Sequence, residues 1–292
     1  LIKIFRFPQE APRTPCRRSR LNQALDPAAP VEDRYRPPVD SSVPPPHPLL
    51  ALTEAHRVVL EVLSLRLARG LLDSAPAGDG HPVMILPGFL GSDGYNAAFR
   101  RYLTRQGYAV HGWAQGRNLG PREGVLEALV DRVEFLASRY GGPISLVGHS
   151  LGGIFARELA RELPACVRQV ISLGSPFGEG RWTGSYPAQL FASLNPRDDL
   201  PIPETVLPTA PPVPTTAIYS KGDGICNWRT ARQAADAAHP QTQSIQVRGS
   251  HCGMTLNPAI WFLVAERLAQ PAGDWQPFRP REWARLLYPV CR

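Results

Sequence analysis

The sequence predicts an α/β domain in which a mostly parallel sheet is covered by helices on both faces. Short runs of apolar residues alternate along the chain with longer segments of helical periodicity. Strands of a parallel sheet are buried on both faces, so their sequences are continuous apolar runs such as "PVMILPG". The chain has 292 residues, of which 43% are hydrophobic, which is enough for one large domain with a substantial core.

The first part of the chain has a different composition from the rest. Residues 1–48 contain 11 of the 32 prolines and the cluster Arg17, Arg18 and Arg20, without a sustained apolar period. Because proline removes a hydrogen-bond donor and restricts the residue before it, we expect a disordered or loosely draped extension. Its composition fits either a passive tail or a segment that binds an acidic partner.

The next segment, residues 49–72, has apolar residues at helical spacing. This pattern predicts one amphipathic helix whose apolar face packs on the following domain. The positions that form the pattern are Leu52, Ala55, Val59, Val62, Leu63, Leu67 and Leu71.

Strands and helices then alternate, so that residues 49–292 are predicted to form one domain. The helix "PREGVLEALVDRVEFLASRYG" has Pro121 near its start and Gly141 after its end, the positions that these residue types favour. The other predicted helices are 96–106 and "LGGIFARELAREL". The predicted strands are "PVMILPG", "YAVHGW", "ISLVG", "VRQVISLG", "TTAIYS" and "SIQVRG".

Residues 176–214 interrupt this alternation. The stretch is long, rich in proline and irregular, with "RWTGSYPAQLFASL" as its one helix-like piece. Long insertions in compact domains are usually functional, so we predict a small cap over the site.

The net charge of +7 does not indicate a nucleic-acid partner. Most basic residues are arginines scattered among acids, as in "RELAREL", without a basic stripe or interleaved aromatic residues. No membrane span is expected either, because the best apolar stretch contains Glu61, Arg66 and Arg69. The first residues, "LIKIFRF", lack the apolar core of a secretory signal, which favours the cytoplasm unless an upstream segment is missing.

Nothing in the sequence indicates a cofactor or a metal. No glycine-rich dinucleotide motif follows the first strand, and the histidines lack paired metal-ligand spacing. Five cysteines at irregular spacing match neither a zinc site nor a dense disulfide scaffold. We therefore expect a protein that needs neither.

The stretch "GHSLG", residues 148–152, directly follows an apolar strand and opens a helix. A strand that turns sharply into a helix while exposing a side chain needs small neighbours, and Gly148 and Gly152 supply them. Ser150 would then stand at the carboxyl ends of the strands, where parallel sheets bind ligands. We predict that it is a nucleophile; the alternative is a structural turn without chemistry.

An alcohol nucleophile needs a base that takes its proton and a carboxylate that orients the base. In this type of fold the chain order is serine, acid, histidine. Asp223 follows the strand "TTAIYS", and His251 follows "SIQVRG". We predict these two as acid and base; the rival acids are Asp198, Asp199 and Asp236, and the rival base is His239.

The negative charge that develops on an attacked carbonyl oxygen needs two backbone donors. One should be the amide of Leu151, at the start of the helix, where the helix dipole also helps. The other should come from the loop after "VMILPG", which points to Phe89, with Leu90 next in line. The alternative is that this loop is only a connector.

These segments resemble those of the α/β-hydrolase fold, specifically of bacterial carboxylesterases and lipases. The matching pieces are "VMILPGFLGSD", "LVGHSLGG", "YSKGDG" and "GSHCGM", and the resemblance covers about residues 80–270. It implies an acyl-enzyme mechanism in which Ser150 attacks an ester carbonyl and His251 moves the proton. The chain departs from the family in reading Pro87-Gly88 where many members have His-Gly, and in its extension before residue 49.

The sequence thus predicts a serine hydrolase that cleaves carboxylic esters, with a small-molecule or lipid ester as substrate. The apolar residues Phe89, Leu90, Leu151 and Phe177 favour an uncharged, fairly apolar substrate. We expect Leu90, His149 and Phe177 to border it, with His149 packed beneath the turn. The alternatives are an acyltransferase or an amide or polyester hydrolase with the same triad, and a non-catalytic binding scaffold.

Cys226 and Cys252 lie close to Asp223 and His251 in sequence. If the triad forms, the two sulfurs must be near each other. Either a disulfide joins the two loops, or both residues are small buried side chains. The oligomeric state is not indicated.

Overall fold

A seven-stranded sheet forms the centre of the computed structural model, which describes residues 43–181, 183–195 and 208–291. The strands are β1 (Pro82–Leu86), β2 (Ala109–Gly112), β3 (Ile144–His149), β4 (Val167–Leu173), β5 (Thr215–Tyr219), β6 (Thr242–Gln246) and β7 (Val290–Cys291). Their order across the sheet is β2-β1-β3-β4-β5-β6-β7, and only β7 runs antiparallel to its neighbour. The predicted mostly parallel sheet is confirmed.

Helices cover both faces of this sheet, as expected. The described helices are α1 (Pro48–Leu52), α2 (Glu54–Leu67), α3 (Arg69–Asp73), α4 (Ala97–Arg105), α5 (Val125–Tyr140), α6 (Leu151–Glu162), α7 (Ala188–Leu194) and α8 (Pro258–Leu268). Side chains alternate along β1, so that Val83 and Ile85 join the core formed with α4 and α8. Met84 and Leu86 point the other way and join the core formed with α5 and α6.

Of the two predicted ends of α5, one agrees with the structure and the other differs. The helix ends at Tyr140 because Gly141 adopts a left-handed conformation with φ of 71°, as predicted. It begins at Val125, whereas the sequence places its start near Pro121. Gly124, with φ of 77°, turns the chain into the helix at that later point.

The N-terminal helical region differs from its prediction in two ways. The single helix predicted for residues 49–72 is three helices, α1 to α3, interrupted at Thr53 and Ala68. Most residues of the predicted apolar face point outward: Leu52 is 75% exposed and Leu67 is 90% exposed. The buried residues of α2 are Glu54 and Glu61. The prediction that the apolar face packs on the domain is therefore wrong, because polar contacts, described below, orient this helix.

Part of the predicted cap falls within the residues that the structure describes. Within residues 176–214 the structure describes 176–181, 183–195 and 208–214, which include α7. The Phe191 ring of α7 packs edge-on against Phe89, with ring centroids 5.4 Å apart. The rest of the cap, and residues 1–42 of the predicted extension, lie outside the described residues. The division into extension, domain and cap remains a prediction.

The last residues of the predicted extension, 43–47, are described and are attached to the domain. The Tyr186 hydroxyl donates to the Pro46 carbonyl at 2.8 Å, and the Asn227 amide donates to the Pro44 carbonyl at 2.8 Å. Across the described ranges, every helix is too short or too polar to cross a lipid bilayer.

Candidate active site

Ser150 occupies the sharp turn between β3 and α6. Its backbone has φ of 50° and ψ of −121°, a region that non-glycine residues rarely adopt and that costs about 1–3 kcal/mol. Gly148 and Gly152 make this turn fit, because a Cβ on Gly148 would overlap the carbonyl of Gly152. A Cβ on Gly152 would overlap the Leu86 carbonyl of the neighbouring strand. The strained turn predicted from "GHSLG" is thus present, with Ser150 at its apex.

Asp223 and His251 form a buried pair at the same edge of the sheet. Asp223 Oδ2 lies 2.6 Å from Nδ1 of His251, and the two residues are 3% and 4% exposed. The other carboxylate oxygen, Oδ1, accepts from the backbone amides of Ile225 at 2.9 Å and Cys226 at 2.7 Å. Both oxygens therefore have fixed partners, and the carboxylate is held towards the imidazole.

Gly174, directly after β4, makes room for this pair. Its φ is 57°, and a Cβ there would lie 3.3 Å from Asp223 Oδ2 and 2.8 Å from the Met254 sulfur. The backbone at Gly174 therefore passes close to the Asp223 carboxylate, and a side chain at position 174 would push the carboxylate aside.

The electrostatic environment of His251 favours its protonated form. Burial lowers the pKa of His251, but the charge and hydrogen bond of Asp223 and the charge of Glu54 outweigh burial. As a result, the pKa of His251 is raised above its ordinary value of 6.5. A histidine with a raised pKa accepts a proton more readily, which suits a general base.

His149 sits against the back of His251. The two ring centroids are 5.1 Å apart, and His149 Nε2 lies 3.0 Å from the backbone carbonyl of His251. Burial, and then the charge of His251, lower the pKa of His149 to about 3. His149 is therefore neutral, and because a carbonyl can only accept, its Nε2 donates the hydrogen bond.

Ser150 and His251 follow strands β3 and β6, whose carboxyl ends lie along one edge of the sheet. Among the contacts of the described residues there is no hydrogen bond between the Ser150 hydroxyl and the His251 ring. Catalytic hydrogen bonds of this kind often form only once substrate is bound. The structure thus brings acid and base into contact and leaves the nucleophile at the same edge beside His149.

The loop after β1 holds the two amides between which the sequence did not decide, those of Phe89 and Leu90. The Leu90 amide donates to the Asn118 carbonyl at 2.7 Å, whereas the Phe89 amide has no acceptor among the described residues. Gly88 lies against the turn, since a Cβ there would be 3.1 Å from the Ser150 Cβ. Of the two residues that the sequence left open, Phe89 is the one with an amide free to bind an oxyanion.

Three residues were predicted to border the substrate, and their positions differ. Leu90 is 42% exposed and has a positive φ of 64°. His149 is 6% exposed and holds the His251 loop, as described above. Phe177 is 1% exposed and packs in the core under the Arg157 guanidinium, 3.7 Å from the ring centroid. A side chain buried in this way does not line an open site, so we correct the expectation for Phe177.

The proposed disulfide is not present in the structure. Cys226 and Cys252 are both free thiols, and the Cys226 sulfur lies 3.4 Å from the Ser185 hydroxyl. The alternative of two unbridged side chains therefore describes this structure, with Cys226 buried and Cys252 partly buried.

The rival acid and base form a pair of their own. Asp236 Oδ2 contacts Nδ1 of His239 at 2.7 Å, in the segment just before β6. The other rivals, Asp198 and Asp199, lie outside the described residues. Only the Asp223–His251 pair, of the two described, is buried beside the serine turn.

Sequence reasoning missed three residues that build this region. Asn118, which is 0% exposed, donates from its side chain to the Pro87 carbonyl at 2.7 Å and so holds the Phe89 loop. Glu54 and Glu61 of α2 bind the His251 loop. The available signal in the sequence was weak: two glutamates two turns apart in a helix whose other residues are mostly apolar.

Within residues 43–181, 183–195 and 208–291, no group of three or more histidine, cysteine, aspartate or glutamate side chains is arranged to hold a metal ion.

Comparison with known families bears directly on this site. A family model described as serine hydrolase matches residues 83–261, which is more than half of the chain and includes all three of Ser150, Asp223 and His251. No curated protein sequence matches the chain. Together with the strand order, the family match confirms the α/β-hydrolase fold expected from the sequence.

Several solved structures resemble the chain at low identity. Lipase B of Aspergillus fumigatus is 18% identical, with a TM-score of 0.49 over 69% of this chain and 56% of the lipase. The pyrethroid hydrolase PytH is 18% identical, with a TM-score of 0.47 over 67% of this chain and 100% of that protein. A thioesterase domain from the curacin biosynthetic pathway is 15% identical, with a TM-score of 0.45 over 65% and 92%. The aligned region thus spans 56% of the length of the lipase.

Proposed function

Because the chain belongs to the serine hydrolase family, we propose that it hydrolyses carboxylic esters through Ser150, His251 and Asp223. The observation that carries this proposal is the buried Asp223–His251 pair, 2.6 Å apart, at the sheet edge where Ser150 stands on a strained turn. Strain of this kind persists where the surrounding structure enforces it, and it is typical of an exposed nucleophile.

In the first half of the reaction, the Ser150 hydroxyl oxygen attacks the ester carbonyl carbon and its proton passes to Nε2 of His251. Asp223 accepts from Nδ1, which leaves Nε2 unprotonated and able to take that proton. The tetrahedral intermediate then collapses. The bond to the alcohol oxygen breaks, His251 returns the proton to that oxygen, and the acyl group remains on Ser150.

The negative charge of the tetrahedral intermediate needs donors that are already in place. The amide of Leu151 is at the first position of α6, where helix amides have no intrahelical acceptor and the helix dipole favours negative charge. The Phe89 amide is the second donor. Two such donors, held by Asn118 and by the start of a helix, require no rearrangement during the reaction.

In the second half, a water molecule takes the place of the alcohol. His251 removes its proton while the oxygen attacks the acyl carbon, and Ser150 leaves with the proton that His251 returns. The acid product and the free serine result, so no cofactor takes part in this proposal.

The surroundings of the site favour an uncharged substrate. Phe89 packs against Phe191 of α7, and their neighbours in sequence, Leu90 and Leu190, are exposed apolar residues. An apolar acyl or alcohol group would lose contact with water on this surface, at roughly 25 cal/mol for each Å² buried.

The test is labelling and hydrolysis. A fluorophosphonate probe should label Ser150, and p-nitrophenyl esters from acetate to palmitate should be cleaved, with a preference for certain acyl lengths. Ser150→Ala should abolish both activities, whereas Ser138→Ala, at an exposed position of α5, should change neither. A wild-type protein that cleaves none of these esters and is not labelled would refute the proposal. Transfer of the acyl group to an added alcohol, instead of to water, would identify an acyltransferase.

A further inference from the structure

Helix α2 turns its charged side towards the protein. Glu54 and Glu61 are the buried residues of α2, with 6% and 9% of their surface exposed, while most of its leucines and valines are exposed. Residues seven positions apart in an α-helix lie on the same face, about 10 Å apart along the axis. Burying two carboxylates is expensive unless every oxygen is bound, so the partners of these two are informative.

The Glu54 carboxylate is bound by both catalytic loops. Oε1 accepts from the amide of His251 at 3.0 Å and from the amide of Gly224, next to Asp223, at 2.8 Å. Oε2 accepts from the amide of Cys252 at 3.0 Å. Arg57, one turn further along α2, donates to Oε1 at 2.8 Å and balances the buried charge.

Glu61 binds the residues on the other side of the histidine. Its Oε1 accepts from the Ser250 amide at 2.8 Å and lies 3.4 Å from the Asn257 side-chain amide. Its Oε2 accepts from the Ser250 hydroxyl at 2.5 Å. The Ser250 hydroxyl oxygen in turn accepts from the Gly253 amide at 3.0 Å.

The four consecutive amides of residues 250–253 are thus all bound, directly or through one hydroxyl, to two carboxylates of one helix. We call this arrangement the amide clamp. Hydrogen bonds to charged acceptors are the stronger kind in proteins, and here they are buried. The backbone that carries His251 has little freedom to shift while these hydrogen bonds are formed.

We propose that Glu54 and Glu61 are positioning residues, which fix the His251 loop for proton transfer through the amide clamp. Glu54 also ties that loop to the Asp223 loop through Gly224. This inference rests on the proposed function of His251. It makes α2, which precedes the region matched by the serine hydrolase family, part of the catalytic apparatus.

The two glutamates differ in one respect that an experiment can use. Glu54 accepts from the His251 amide, and its charge contributes, after that of Asp223, to raising the pKa of His251. Glu61 contacts Ser250 and Asn257 instead. The other titratable groups described around His251 stay neutral near pH 7. Burial and then the charge of His251 lower the pKa of His149 to about 3. Burial, together with the charge and hydrogen bond of Glu54, raises the pKa of Cys252 to about 12. Burial also raises the pKa of Tyr95. The acid limb of the pH profile therefore reports on His251.

The experiment compares Glu54→Gln, Glu61→Gln and the exposed control Glu127→Gln in the full chain. For each, kcat and KM for a p-nitrophenyl ester are measured from pH 5 to 9, and amide hydrogen exchange is measured at residues 250–253. Glu54→Gln should lower kcat about 100-fold, as expected when a catalytic group shifts by about 1 Å, with KM little changed. Its acid limb should move to lower pH.

Glu61→Gln should also lower kcat and speed exchange at Ser250, but its acid limb should stay in place. Glu127→Gln should behave as wild type. If Glu54→Gln does not fold, Glu54→Asp serves instead: it keeps the charge but is one methylene too short, so kcat should fall without a shift of the acid limb.

Two outcomes separate this inference from the proposed function. An active wild type together with a Glu54→Gln variant of unchanged kcat, pH profile and exchange would overturn the amide clamp alone. A wild type without ester hydrolysis or fluorophosphonate labelling would overturn the proposed function and, with it, this role of the clamp. A variant that only loses thermal stability, with kcat per labelled site unchanged, would also count against positioning.

Discussion

Replacement of Asp223 by asparagine should disable the enzyme while leaving its fold in place. The reason lies in the two oxygens of the carboxylate. Oδ1 accepts from the amides of Ile225 and Cys226, and Oδ2 faces Nδ1 of His251. In Asp223→Asn the amide oxygen must stay with the two N–H donors, since the opposite orientation would set its NH2 group against them. The NH2 group is then forced towards His251.

An NH2 group at this place makes Nδ1 of His251 an acceptor and moves the ring proton to Nε2. Nε2 can then no longer take the proton of Ser150. Loss of the correct tautomer in this way costs about 10⁴-fold in kcat, which corresponds to about 5 kcal/mol of transition-state stabilisation.

The assay is hydrolysis of the best p-nitrophenyl ester at pH 7 to 8, together with a thermal unfolding curve. The matched control is Asp236→Asn, since Asp236 holds His239 at 2.7 Å in the same manner but outside the site. Activity of Asp223→Asn within tenfold of wild type would refute this account of the acid. Equal losses in both variants would show that the effect is not specific to the site.

Three further predictions follow from the same geometry. Ser150→Gly should lose activity, yet its free energy of unfolding should rise by about 1 kcal/mol, because glycine relieves the strain at φ of 50°. Ser150→Ala should lose activity without that gain in stability. Folding raises the pKa of His251, so the contribution of His251 to stability should be fully present below pH 6.5 and be lost as the pH rises through the folded pKa. Over the same range kcat/KM should rise. Urea unfolding and kinetics measured against pH should therefore have opposite slopes. Gly152→Ala should cost about 3 kcal/mol, because its Cβ would lie 2.6 Å from the Pro87 carbonyl oxygen; Gly142→Ala, where a Cβ meets open space, should cost much less in the same unfolding measurement.

Much of the fold was accessible from local patterns. The apolar runs that predict strands match β1 to β6, with small shifts at their ends, because buried parallel strands leave a continuous apolar signature. The turn at Ser150 was accessible as well, since only small neighbours allow its backbone geometry and these are adjacent in sequence. Both features depend on residues that are close along the chain.

The candidate site was accessible in outline. The order of serine, acid and histidine points to Asp223 and His251, and in the structure these two are in contact. The sequence favoured Phe89 over Leu90 but gave no firm reason, because the difference depends on Asn118, whose carbonyl occupies the Leu90 amide. The burial of Phe177 was equally hidden, because it depends on the position of Arg157.

The orientation of α2 shows where local patterns fail. Its periodicity identifies an apolar face but contains no information about what lies opposite each face. The outcome depended on amides brought together by the fold: the contact between Glu54 and the His251 amide joins residues 197 positions apart. Several N–H donors converging on each carboxylate offset the cost of burying charge, so the two glutamates face inward and most of the leucines face outward. Residue identities were therefore enough to predict a serine hydrolase, whereas the contacts of the His251 loop emerge only when distant parts of the chain meet.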